Sequence, residues 1–129
     1  MFTLTLDERH HGVLISLASV LERMPCANVA FWRFRDISVN NGVLFGLPAP
    51  QFEEKSRLLP GGVCVSSEAF TSFTHSSVQI VDGVIEGLQD ADATKPLFTL
   101  ECVDAGRWEI MTEDQIMALE LERRGWLRQ

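Results

Sequence analysis

A chain of 129 residues, 46% of them hydrophobic and 22% charged, is long enough for one domain with a sizeable core and too evenly composed for a disordered tail. Its net charge of −7 argues against a general affinity for nucleic-acid backbones or anionic membranes, and suits a basic protein partner. The longest apolar run, "GVLISLASVLE", is broken by serines and too short to cross a bilayer, so neither a membrane span nor a secretory signal is expected.

The alternation in residues 2–6, "FTLTL", predicts a first strand. A helix is then expected up to Pro25, with Asp7 as its N-cap and His10, Leu14, Leu17, Leu21 and Met24 on one stripe. His10 and His11 invite a metal-site reading. Adjacent helical residues point in different directions, however, and neither histidine has a second ligand four residues on. His10 is therefore expected to be structural, partly covered at the edge of the core, and His11 to be exposed.

In "NVAFWRFRDISVNNGVLFGL", two strand-like runs flank Asn41-Gly42 and predict a hairpin. Period-two alternation puts Ala30, Trp32 and Phe34 on one face and Phe31, Arg33 and Arg35 on the other. Pro48 and Pro50 are expected to stop the second strand, and "QFEEKSRLLPGG" to form a surface loop with at most one helical turn. A short strand at "VCV" and a brief helix through "EAFTSF", capped by Ser66 or Ser67, follow. Residues 78–88 read as a strand whose two glycines permit a bulge or close packing.

"PLFTLECV" and "RWEIM" predict a second hairpin around Asp104-Ala105-Gly106. The last helix carries start and stop signals: a capping box of Thr112 with Gln115, a staple of Met111 with Ile116, and Gly125 as terminator with Trp126 folded back on Leu121. The fold class expected is α+β, a mainly antiparallel sheet built from hairpins with an N-terminal and a C-terminal helix packed on it, spanning 1–129.

Chemistry-bearing motifs are sparse. Asp90, Asp92, Thr94 and Glu101 match positions of a calcium loop, but Lys95 stands where that loop needs glycine and the following residues alternate like a strand. "FWRFRD" mixes aromatics with arginines, yet the alternation separates Trp32 and Phe34 from Arg33 and Arg35, unlike a stacking platform for single-stranded nucleic acid. The arginines are expected to face solvent and to pair with nearby acids. Cys26, Cys64 and Cys102 form no CxxC pair and suit reduced, mostly buried thiols in the cytoplasm. No nucleophile motif is present, and a Cys64–His75 pair rests only on their flanking one short helix. No catalytic residue, metal or cofactor is assigned.

What remains is charge. Asp82, Glu86, Asp90 and Asp92 form one acidic cluster and Glu53 with Glu54 another, and these six residues are the candidate partner-binding site, with Trp108 and Trp126 as candidate aromatic anchors. Small size, acidity and α+β makeup are similar to those of bacterial immunity proteins, which neutralise a toxin by covering its active site. The function expected is a non-catalytic protein-binding domain of that kind. The alternative is a small ligand-binding protein or enzyme with a pocket between sheet and helix, using His10, His75 or Arg33. A homodimer through an exposed strand or the final helix is a third arrangement.

Overall fold

The computed structural model describes residues 1–7, 15–25, 28–74, 76 and 78–129. Its elements run β1 (Phe2–Asp7), α1 (Leu17–Glu22), β2 (Phe31–Val39), β3 (Val43–Leu44), β4 (Leu47–Pro48), α2 (Ala49–Leu58), β5 (Val63–Ser66), α3 (Ser67–Thr74), β6 (Ile80–Leu88), β7 (Phe98–Val103), β8 (Arg107–Thr112), α4 (Gln115–Arg123) and β9 (Leu127–Arg128). Seven strands form one sheet in the order β5-β2-β6-β7-β8-β1-β9, every neighbouring pair antiparallel. The α+β class with a large antiparallel sheet is thus observed. None of the described helices is long and apolar enough to cross a membrane.

Alternation sorts the sheet into two faces. Trp32, Phe34, Ile85, Leu100, Ile110, Leu4 and Leu6 share one buried face, and the described helices pack there through Leu17 and Val20, Phe52, Phe70 with Phe73, and Met117 with Leu121. Phe70 stacks on Trp32 at 4.0 Å and 13°, and Phe52 meets Phe34 edge-on. Burying one such side chain contributes roughly 1.5–3 kcal/mol. The opposite face carries Arg33, Arg35, Glu86, Thr99, Glu101, Glu109 and Thr5, which occupy the alternate positions of the same strands.

Several expectations are corrected. Asp7 ends β1 opposite Arg107, and the first described helix, α1, starts at Leu17 with Ser16 as its cap. The opening strand forms as expected, but the specific arrangement of an N-terminal and a C-terminal helix does not match, since the first described helix begins only at Leu17. At the other end β9 follows α4, pairs with β1 and borders the sheet. His10 and Leu14 of the expected stripe, and His11 beside it, lie outside the described residues.

The tight turn is also elsewhere. β3 and β4 pair around Phe45-Gly46, both with positive φ (52° and 83°), the signature of a two-residue hairpin turn. Phe45 tolerates that conformation because its ring packs 4.9 Å from Phe73 and 5.4 Å from Phe34. β2 instead pairs with β5 and β6. The "QFEEKSRLLPGG" loop is largely helix: Pro48 occupies the N-cap and Pro50 the first turn, where a missing N–H costs nothing. Ala49, Phe52 and Ser56 form its buried stripe.

The irregularity foreseen in β6 is present between Asp82 and Ile80, which oppose the successive residues Ser38 and Val39, and its partner carries another. β2 slips register between Arg35 and Ser38, where Asp36 has φ 52°, and Gly83 faces it across the ladder. The second hairpin, the helix through "EAFTSF" and its Ser66 cap form as expected. The α4 cap does not: Asp114 accepts from the N–H groups of Ile116 and Met117, Thr112 remains in β8, and Ile116 is 79% exposed, so no staple closes. Gly125 (φ 99°) ends α4, and Trp126 N–H returns to the carbonyl of Leu121 as expected.

Candidate functional site

The six acidic residues singled out in the sequence fall in four places. Asp82 stands near the start of β6 opposite Ser38, and its Oδ1 accepts from the backbone N–H of Asp104 at 3.0 Å. Asp90 and Asp92 lie beyond the other end of β6, about 20 Å away at the usual strand rise, where Asp90 Oδ1 accepts from Asp92 N–H. Glu54 is exposed on α2, whereas Glu53 turns inward and accepts from the N–H of Val39 at 3.2 Å.

Glu86 is only 5% exposed. The register places it directly opposite Arg33, with Arg35 on the diagonal. Arg33 Nε donates to Glu86 Oε1 at 2.8 Å, and Arg35 Nε lies 3.2 Å from the same oxygen. The expected link between these arginines and a nearby acid is therefore present, and it is made by a buried carboxylate.

Strand pairing gathers a different acidic group around Asp82. The carboxylates of Asp82, Asp104 and Glu101 surround Cys102, whose thiol is pushed up to about 12 by burial first and then by these three charges, against a lowering hydrogen bond from the Ala105 backbone. The backbone of Asp36 approaches Gly83 at the same end of the sheet. None of these four carboxylates makes an ion pair among the described residues. Asp36, Glu101 and Asp104 were missed in the sequence because only the register of β2, β6 and β7 brings them beside Asp82.

The cations are otherwise engaged. Lys95 pairs with Glu113, Arg107 with Glu109, Arg123 and Arg124 with Glu120, and Arg128 with Glu122. The aromatic anchors are not available: Trp108 is 1% and Trp126 2% exposed, both in the core. Nor do Asp90, Asp92 and Glu101 converge, since Glu101 pairs with Val84 in β7 while the aspartates sit in the preceding loop. Among the described residues, no group of three or more His, Cys, Asp or Glu side chains is placed to hold a metal ion. His75 lies outside the described residues, as does Cys26; Cys64 is exposed on the edge strand and Cys102 is buried.

A cavity of about 370 Å³ opens between α1, α3 and Trp32, lined by Leu21, Val29, Phe70, Thr71 and Thr74. Ser67 also lines it, accepting from Trp32 Nε1 at 3.1 Å and donating to the carbonyl of Val29. Arg33 points away from this cavity, on the other face of the sheet. A larger depression of about 530 Å³ borders that other face, where Glu86, Thr99 and Met111 meet Lys95 and Glu113. No family model, curated protein or solved structure matches the chain.

Proposed function

We propose that this domain binds a basic protein partner and does so without catalysing a reaction, docking on the end of the sheet formed by Asp36, Asp82, Glu101 and Asp104. One observation carries the reading: the Asp82, Glu101 and Asp104 carboxylates lie around Cys102, with the Asp36 backbone at the same end of the sheet, and none of the four residues makes an ion pair among the described residues, while most described arginines and lysines elsewhere are locked in ion pairs. A negative field held by a rigid antiparallel ladder accelerates encounter with a positive surface and selects against acidic competitors. Neutralising a toxin by covering its basic active-site surface is the specific form of this function. Asp90, Asp92 and Glu54 add to the long-range field from outside the docking end.

A ligand pocket between sheet and helix is the second reading, supported by the cavity between α1 and α3. It is the weaker one, because the lining is largely apolar and the Ser67 hydroxyl already accepts from Trp32 and donates to Val29.

Titration of the ¹⁵N-labelled protein with a short lysine- and arginine-rich peptide, at fixed ionic strength, tests the first reading. Amide shifts are expected to concentrate on Asp36, Asp82 and residues 101–105. The combined change Asp82→Asn, Glu101→Gln should weaken binding about tenfold, and Asp90→Asn with Asp92→Asn less than about twofold. Equal losses from both pairs would reduce the reading to general charge attraction.

A further inference from the structure

We propose that the Arg33–Arg35–Glu86 cluster is a receptor for a carboxylate ligand. This is a site of opposite sign to the acidic end, and it does not depend on the docking function proposed above. Strand alternation puts Arg33 and Arg35 on the same side of β2, and register puts Glu86 between them and β7. Both guanidinium groups approach a single oxygen, Glu86 Oε1, through their Nε atoms, at 2.8 and 3.2 Å. Two permanent positive charges thus meet one negative charge, and no other carboxylate among the described residues lies in ion-pair contact with either arginine.

The terminal Nη groups of both arginines make no hydrogen bond among the described residues. A guanidinium has five N–H donors in a rigid fork matched to a carboxylate, so an oxyanion can bind across the Nη ends while Glu86 keeps the Nε side. Burial makes this a prepared site. Glu86, with its side chain 7% exposed, fixes both forks from beneath, and Arg33 itself is 17% exposed while Arg35 reaches solvent at 46%. Partial removal of water strengthens each charge-assisted bond relative to a fully exposed arginine pair. Glu86 offsets one of the two guanidinium charges, and the net positive charge that remains is what an incoming anion answers.

Cys64 stands opposite Arg33 on the edge strand β5. A polypeptide adding to that edge is one source of the carboxylate, and a free acid is the other; the same experiment separates them.

The test follows the side-chain Nε–H signals of Arg33 and Arg35 in the intact protein during titration with sodium acetate, sodium chloride holding ionic strength constant. Saturable, millimolar binding is expected, weakened about tenfold by Arg35→Gln. Glu86→Gln removes the competing internal carboxylate and should tighten acetate binding provided the amide spectrum stays native; a merely structural ion pair predicts no such gain. A glutamate-bearing extended peptide that binds at least about tenfold tighter than acetate, with added shifts at Cys64 and Ser66, identifies a polypeptide source, and equal affinity identifies a free acid. Signals that move no more with acetate than with chloride, or move equally in Arg35→Gln, overturn the proposal. Preference for inorganic phosphate over acetate overturns the carboxylate assignment.

Discussion

The indole N–H of Trp126 donates to the carbonyl of Arg23 at 2.9 Å, joining residues 103 positions apart in the chain. Trp108 does the same at the other side of α1, where its Nε1 donates to the carbonyl of Ile15 at 2.9 Å. Arg124 adds a third tie, from Nη1 to the carbonyl of Met24. A six-residue helix such as α1 has little stability of its own. It is held at both ends by side chains from the C-terminal third.

Trp126→Phe keeps most of the ring but deletes the donor, so a cost of roughly 1–3 kcal/mol is expected. The loss should be local before it is global. Amide exchange in α1 is expected to quicken more than exchange in β6 or β7, and urea denaturation should report the total. Equal acceleration throughout the sheet would show that α1 opens only with the whole domain.

Ser56 carries a comparable role at the β2 bulge. Its hydroxyl accepts from the N–H of Ile37 at 3.0 Å and donates to the carbonyl of Glu53, while Glu53 Oε1 takes the N–H of Val39. The bulge removes these donors from the regular ladder, and one turn of α2 supplies their acceptors. Ser56→Ala leaves a buried N–H without a partner and should cost about 1–3 kcal/mol by chemical denaturation. An unchanged midpoint would mean that the bulge relaxes to find another acceptor.

Much of this framework was readable in the sequence. Alternation in "FWRFR" correctly separated Trp32 and Phe34 from Arg33 and Arg35, and the strand pair around Asp104-Ala105-Gly106 was legible from its turn residues. Local signals failed where tertiary demands outweighed them. Asn41-Gly42 looks like a hairpin turn although Phe45-Gly46 makes it. Pro48 and Pro50 do end the strand, since β4 stops at Pro48, but they also open α2, because a first helical turn does not need their missing N–H groups. Glu86 was legible as acidic, but not as buried, because its partners are more than fifty residues away in sequence. Pairing of distant strands has no local signature.

Gly87 tests how tightly the buried face is fitted. It lies opposite Phe98, and a Cβ added there would stand 2.5 Å from the Phe98 ring, which itself packs edge-on against Trp32 at 5.6 Å. Gly87→Ala is expected to destabilise by about 1–3 kcal/mol through overpacking. Adding Phe98→Leu should recover part of that loss, because the smaller side chain vacates the contested space. Two strictly additive costs would place the strain elsewhere.

The thiols should differ in reactivity and leave a mark on alkaline stability. Cys102 is 2% exposed, and burial together with Asp82, Asp104 and Glu101 holds its pKa at about 12, against an ordinary value of 9.0. Cys64 is also raised by burial, but Arg33 opposes the shift and the residue is exposed. Iodoacetamide followed by peptide mass spectrometry should therefore label Cys64 in the native protein and Cys102 only after unfolding. Below pH 9.0 both folded and unfolded Cys102 carry the proton, so its contribution to stability is constant there. From pH 9.0 to about 12 the unfolded thiol ionises while the folded one stays protonated, so stability must fall as pH rises. The chain has no tyrosine, which leaves few other groups to titrate in that window. Urea midpoints measured across it should decline more steeply for the native sequence than for Cys102→Ala, whatever the absolute cost of the substitution. Parallel slopes would show that the Cys102 proton is no more firmly held in the folded protein than in the unfolded chain.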